Sequence, residues 1–315
     1  MFIQNHLLKI ILIGIVLVFF VQQAQAQETK TIRPTDVYLK VQALQDELEL
    51  IRIHTKSAKV TEKIVEVTNA TPREVFSVAT ALFEKSNRLS FEITRENFKT
   101  YSIPIAGQIE PKNVYDMVED SLNVILTIKK YLRISQTVKY KTNIGTKTPT
   151  DVFNAILDTN RQINLILELG FAPGDVYQQV NKALAYSLRI QEQLLVSSIP
   201  LEEELIKTKV PADVYHRLIN CFLIIKEIAN IKNLEILDLQ EITDSQIVPG
   251  DVYDMASLVV SELKYLYDSL ENPREIYPNI YPGQKTPPDV YQRAGILEKQ
   301  LMLLRESFSK KDKNV

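Results

Sequence analysis

Apolar residues along this chain recur at alternating steps of four and three, the stripe of a helix that buries one face. In the first third the stripe is Val37, Val41, Leu44, Leu48 and Ile51. Near the middle it is Val152, Ile156, Ile163 and Ile166, with Thr159 at the remaining step. Further on it is Val252, Val259, Leu263 and Leu266, with Ala256 between. Each stripe predicts a helix of about 20 residues, or ~30 Å. Burying five such side chains contributes on the order of 10 kcal/mol gross. Ordering about 20 residues costs more, at ~1–2 kcal/mol each. Helices of this kind must pack on one another.

Every stripe opens with the same five residues, Pro-x-acid-Val-aromatic, and the chain holds eight copies. Their acid (or Asn) and aromatic members are Asp36 and Tyr38, Glu74 and Phe76, Asn113 and Tyr115, and Asp151 and Phe153. The second four are Asp175 and Tyr177, Asp213 and Tyr215, Asp251 and Tyr253, and Asp289 and Tyr291. The motif valines are Val37, Val75, Val114, Val152, Val176, Val214, Val252 and Val290, evenly spaced but for the short step from Val152 to Val176. The motif reads as a helix start. Proline suits the first helical position, where its missing N–H has no partner to lose. An acid two residues later accepts backbone N–H bonds and complements the helix dipole. Thr71, Thr148 and Thr286, just before the proline, extend this toward a capping box.

The one short interval holds Gly170 and Pro173, a stop followed by a start, and predicts a tight antiparallel hairpin of helices four and five. Elsewhere about 14–18 residues intervene, enough at full extension to span ~46 Å and return to the starting end. Such crossovers make neighbouring helices parallel. Loose loops between antiparallel helices, a short helix at Leu201–Lys207 or an extended piece at Ser90–Thr94 fit the same lengths. Copies one to four map in order onto five to eight at a near-constant offset, Val37 onto Val176 and Val152 onto Val290. The expected fold is therefore all-α, a tandem duplication of a four-helix module built from a ~38-residue repeat, packed as bundles or as a helical array. The expected segments are an export signal at 1–26, modules at 27–171 and 172–308, and a polar disordered tail at 309–315.

The signal rests on Lys9, the apolar run Ile10 to Val21, and Ala24-Gln25-Ala26. It predicts a periplasmic or secreted protein cut after Ala26, touching membrane only through the transient signal, with an uncut anchor from Leu7 to about Val21 as the alternative. A formal net charge of −2 argues against a general nucleic-acid binder. Only 8 glycines in 315 residues argue against phosphate-cradling loops, and one cysteine excludes an intrachain disulfide. His54 and His216 stand in no ligand spacing, and no cofactor or metal is expected. Ser261-Glu-Leu-Lys264 matches an acyl-enzyme signature, but it falls mid-helix without its companion motif. Cys221 lies on a core stripe and reads as a buried thiol.

The expectation is a non-catalytic binding or scaffolding module whose partner is a protein or a second copy, with a polysaccharide as a further candidate. Its alternatives are a carrier of a small apolar ligand between helices of one module, and a structural part of an envelope assembly. Three surfaces are candidates. The first is the Asp–Tyr pairs at the helix starts, and the second is Asn272–Pro288, rich in proline and carrying Tyr277 and Tyr281. The third is a pair of opposed charge runs, suited to joining the two halves or successive copies. One holds Lys129, Lys130, Arg133, Lys139, Lys141 and Lys147; the other holds Glu235, Asp238, Glu241, Asp244, Asp251 and Asp254.

Overall fold

The computed structural model describes residues 31–98, 109–168, 170–196, 203–241, 247–270 and 283–312. The signal segment, Tyr277, Tyr281 and Asp244 lie outside the described residues, as does the side chain of Glu241. Arg33–Val315 forms one compact unit. Among the described residues there are eight helices: α1 Pro34–Thr55, α2 Pro72–Thr94, α3 Pro111–Tyr131, α4 Pro149–Leu167, α5 Pro173–Leu194, α6 Pro211–Ile231, α7 Pro249–Asp268 and α8 Pro287–Asp312. Two short strands join them, β1 Val65–Thr68 and β2 Asp238–Glu241. α8 continues to Asp312, into the stretch expected as a tail.

All eight motifs start a helix at their proline. In each, the acid or Asn113 accepts the backbone N–H three residues before it, at 2.6–3.1 Å. At α4 the bond is reciprocated, since the Thr148 hydroxyl accepts from the Asp151 N–H at 3.2 Å. The eight motif valines are buried, none more than 3% exposed. The stripes behind them are buried too, except that Ile166 is only half-buried.

The helices of the first module run parallel. Pro34, Pro72, Pro111 and Pro149, with their four motif valines, surround one gap of about 20 Å³, so all four N-termini meet at one end. Around the bundle the order is α1, α3, α2, α4, which places consecutive helices α1 and α2 on a diagonal. The second module repeats the ring as α5, α7, α6, α8. There, too, the contacts join residues one to five positions apart in the repeat, as parallel helices require. The Ser187 hydroxyl donates to Gln300, Tyr186 lies 5.7 Å from Tyr267, and the Cys221 thiol faces the Ala294 carbonyl. Each crossover within a module, such as the one from Thr55 to Pro72, thus carries the chain back along the full length of a helix.

A parallel bundle has an electrostatic cost that explains the motif. Each helix brings roughly half a positive charge to its N-terminus, so four together bring about +2 to one end. The acid in the first turn offsets that charge and satisfies an otherwise orphaned donor.

Three local expectations meet a different structure. The chain does reverse between α4 and α5, but the two do not lie along one another, because α7 occupies the place beside α4. Ser90–Thr94 alternates like a strand yet completes α2, with Leu89 and Ser90 buried. Within Leu201–Lys207, the described residues 203–207 form no helix. Extended structure appears instead in the crossovers, where β1 and β2 pair antiparallel with Val65 opposite Glu241 and Thr68 opposite Asp238. That ribbon ties the first module to the second.

Glycine is too scarce to end these helices. Lys56, Arg95, Arg133, Leu195 and Asn233 adopt the left-handed conformation there. At four of these ends the bond reaching back five residues closes a Schellman turn, from Ser57, Ile134, Val196 and Leu234 at 2.9–3.1 Å.

Candidate functional site: the junction and the exposed charges

The modules meet where α7 packs against α2 and α4. Lys85 of α2 is 1% exposed; its ammonium donates to Asn164 Oδ1 at 2.7 Å and pairs with Asp254. The Asn164 amide donates to Asp251 Oδ1 at 3.2 Å and Asp254 Oδ2 at 3.0 Å. Arg161 donates to Asp251 Oδ2 at 3.2 Å, while that carboxylate still caps α7. Gly250 makes the approach feasible: a Cβ there would stand 2.6 Å from Asn164 Oδ1 and 2.8 Å from its Cβ. At the other end of the contact Arg73 forks onto Glu262, at 3.2 and 2.6 Å, and reaches Glu74 at 3.1 Å. Its guanidinium stacks on Tyr265, 4.1 Å from the ring centre. α2 supplies the bases and α7 the acids, with the helices antiparallel.

Burial sets the protonation of these groups. It pushes the Lys85 ammonium below the usual lysine range, against the pull of Asp254. It pushes the Asp251 carboxyl up, against Arg161, and the Glu262 carboxyl up to about 7, against Arg73.

Beside this network a cleft opens between β1, β2, α2, α4, α6 and α7. Its apolar wall includes Val67, Val78, Phe153, Leu157 and Met255, and its charged side Lys63, Asp158, Arg161 and Asp251. Burial raises the Asp158 carboxyl, opposed by Lys63 and Arg161. The cavity measures about 60 Å³. That is room for about two waters, well short of the ~150 Å³ that accepts benzene or the ~300–1,000 Å³ of a cofactor pocket.

The motif pairs do not form one array. Their acids act as caps, and the Asp151 and Asp213 carboxyls are held low by the backbone N–H groups they accept. The Asp289 carboxyl is held low chiefly by the Thr286 hydroxyl. Of the aromatics, Phe76, Phe153 and Tyr215 are buried, and Tyr253 stacks on Phe171 at 4.7 Å. The rest lie under cations: Tyr38 under Lys147, Tyr115 under Lys40, Tyr177 under Lys285 and Tyr291 under Lys209, at 4.4–4.8 Å.

The charge runs divide between interior and surface. Lys129 is buried, not presented: it donates to Glu47 Oε2 at 2.6 Å, and Tyr140 donates to Oε1 of the same carboxylate at 2.7 Å. Burial and Glu47 push the Tyr140 phenol up to about 12. Lys130, Arg133, Lys139 and Lys141 are exposed. Of the acids, Glu235 is exposed, Asp238 pairs with Lys226 and accepts from Asn69 at 2.6 Å, and Asp251 and Asp254 belong to the junction. The acidic run therefore does touch the first module, but through Asn69, Lys85, Arg161 and Asn164 rather than the basic run.

Lys85, Arg161, Asn164 and Glu262 were invisible to stripe counting, because each flanks a stripe whose apolar positions are filled. A glycine follows the proline in copies five and seven, Gly174 and Gly250, so it did not single out this approach.

Among the described residues no three His, Cys, Asp or Glu side chains converge as metal ligands. Burial raises the Cys221 thiol well above the usual range, and Lys264 of the serine–lysine pair is tied to Asp268. Comparison with family models, curated proteins and solved structures finds no match.

Proposed function

We propose that the chain is an exported, non-catalytic binding or scaffolding module, released by cleavage after Ala26 and working through its outer surface. One observation carries this reading. Lys130, Arg133, Lys139 and Lys141 stand exposed without an ion pair among the described residues, in a molecule that pairs even the charges at its junction. A lipid carrier is the weaker alternative, since about 60 Å³ of cleft would have to expand severalfold to take one.

In-cell photo-crosslinking tests the proposal, with probes at Lys139 and, as an internal comparison, at Glu192 of the second module. A single adduct at Lys139, displaced by charge reversal at Lys130 and Lys141, is the expected outcome. Equal labelling at both positions, or none at either, would overturn the reading.

A further inference from the structure

We infer that the α1–α3 corner, at the C-terminal end of the first bundle, docks on an anionic lipid surface. This rests on the reading of the chain as a binding module and names its partner.

The parallel fold is what assembles the corner. Ile53 of α1 and Lys130 of α3 occupy the same repeat position, counted from Val37 and Val114, and Tyr131 lies one position further. Parallel helices bring these positions to one height, and α1 and α3 are neighbours in the ring. Ile53 is 56% exposed and Tyr131 60%, so two large side chains project where the core does not use them, while Phe91 of the diagonal helix α2 lies outside this corner. Around them stand Lys56, Lys130 and Arg133, all exposed. Glu47 pins Tyr140, itself 40% exposed, on the same side, which brings Lys139 and Lys141 alongside. Nearby acids answer part of this charge. Exposed Glu168 ends α4, beside α1 and at the same height, and Glu96 is exposed at the end of α2; Glu49 is engaged by Arg52 and Lys59, Glu92 by Arg95, and Asp46 is half-buried.

A soluble polyanion would be satisfied by charge alone. Apolar and aromatic tips between bases match the headgroup region of a bilayer, which takes rings and aliphatic groups while its anionic lipids take the cations. No described helix is long and apolar enough to cross a membrane. The second bundle serves as a control. Positions equivalent to Ile53 and Lys56 are Glu192 and Leu195, and those equivalent to Lys130 and Tyr131 are Asp268 and Ser269.

The test is co-sedimentation of the chain from Gln27 onward, as released by cleavage after Ala26, with vesicles of phosphatidylcholine alone or with about one third phosphatidylglycerol. Binding is expected only to the anionic vesicles. Each of Lys130→Ala, Lys139→Ala and Lys141→Ala should weaken it about fivefold, the equivalent of ~1 kcal/mol per basic residue at such a surface. Glu192→Gln should leave it unchanged. The chain has no tryptophan, so Tyr131→Trp supplies a single reporter, whose emission should shift to the blue on binding. No binding, binding indifferent to the lysines, or an unshifted Trp would overturn the proposal. So would full competition by soluble polyphosphate with Ile53→Ser and Tyr131→Ser inert, which would mean a polyanion site. Vesicle failure with a specific Lys139 crosslink would sink the lipid partner and leave the binding module standing.

Discussion

The two bundles share a ring order and a set of caps, yet their ends differ in chemistry. In the first, the last turns of α1 to α3 carry Ile53, Phe91 and Tyr131 among bases. In the second, the equivalent positions carry Glu192, Asn230 and Ser269, with Leu195 the large apolar exception. The inner faces differ in the reverse sense, for α2 meets the junction with Arg73 and Lys85 and α7 meets it with Asp251, Asp254 and Glu262. Duplication preserved what every parallel bundle needs, namely a cap at each N-terminus and a packed stripe. Positions outside the stripe were free to diverge, and there the halves became complementary to each other.

The sharpest way to break that complementarity is at Lys85. Lys85→Ala leaves buried Asn164 and half-buried Asp254 without their base, and removing one partner of a buried pair costs about 3–5 kcal/mol, an upper bound here. Urea denaturation should show a loss of up to that size. Lys130→Ala, at the exposed end, should fall within ~0.5 kcal/mol of the parent. Next in size is Gly250→Ala. The same helix position holds Ala212 in α6, so alanine itself is compatible with the start. The cost, about 1–3 kcal/mol, comes from driving Asn164 away from α7. A cycle with Asn164→Ala should show strong coupling between the two positions.

Glu262 predicts a pH signature of the junction. Its folded carboxyl titrates at about 7, above the ordinary value of 4.5. Between those values the folded protein holds a proton that the unfolded chain has released. Stability contributed by this group therefore falls as pH rises through the window, by at most on the order of 3 kcal/mol, and levels off above it. The raised Asp251 carboxyl acts with the same sign. Urea midpoints taken across that range should decline for the parent and decline less for Glu262→Gln. An identical slope in the variant would place the titration elsewhere.

How much was legible beforehand follows the same division. Pro-x-acid-Val-aromatic marked all eight helix starts, because capping is local and leaves its signature within the motif itself. The stripes marked the core for the same reason. Parallel packing was not legible: a crossover such as that from Thr55 to Pro72 is long enough for either direction, and only the meeting of Pro34, Pro72, Pro111 and Pro149 decides it. The junction was hidden because Lys85 and Asn164 are polar residues of helices that already possess complete stripes. Lys129 shows the converse error. A base in a basic run looks solvated until Glu47, from a different helix, is placed beside it.

The smallest expected difference is between equivalent caps. Asp36 starts α1 and Asp175 starts α5, each accepting one backbone N–H, at 3.0 and 2.9 Å. Asp36→Ala should cost ~1 kcal/mol, the usual worth of a cap. Asp175 also meets Arg88 of α2 at 3.3 Å, across the module boundary, with both side chains partly exposed. Such a pair adds only a few tenths of a kcal/mol. Asp36 has an ion pair of its own, with exposed Arg33 at 3.7 Å, so the margin is read within α5: Asp175→Ala should cost a few tenths of a kcal/mol less in the background of Arg88→Ala or in high salt. A cost that stays the same in both would mean that Arg88 adds nothing to this cap and that the start of α5 is held by the backbone N–H bond alone.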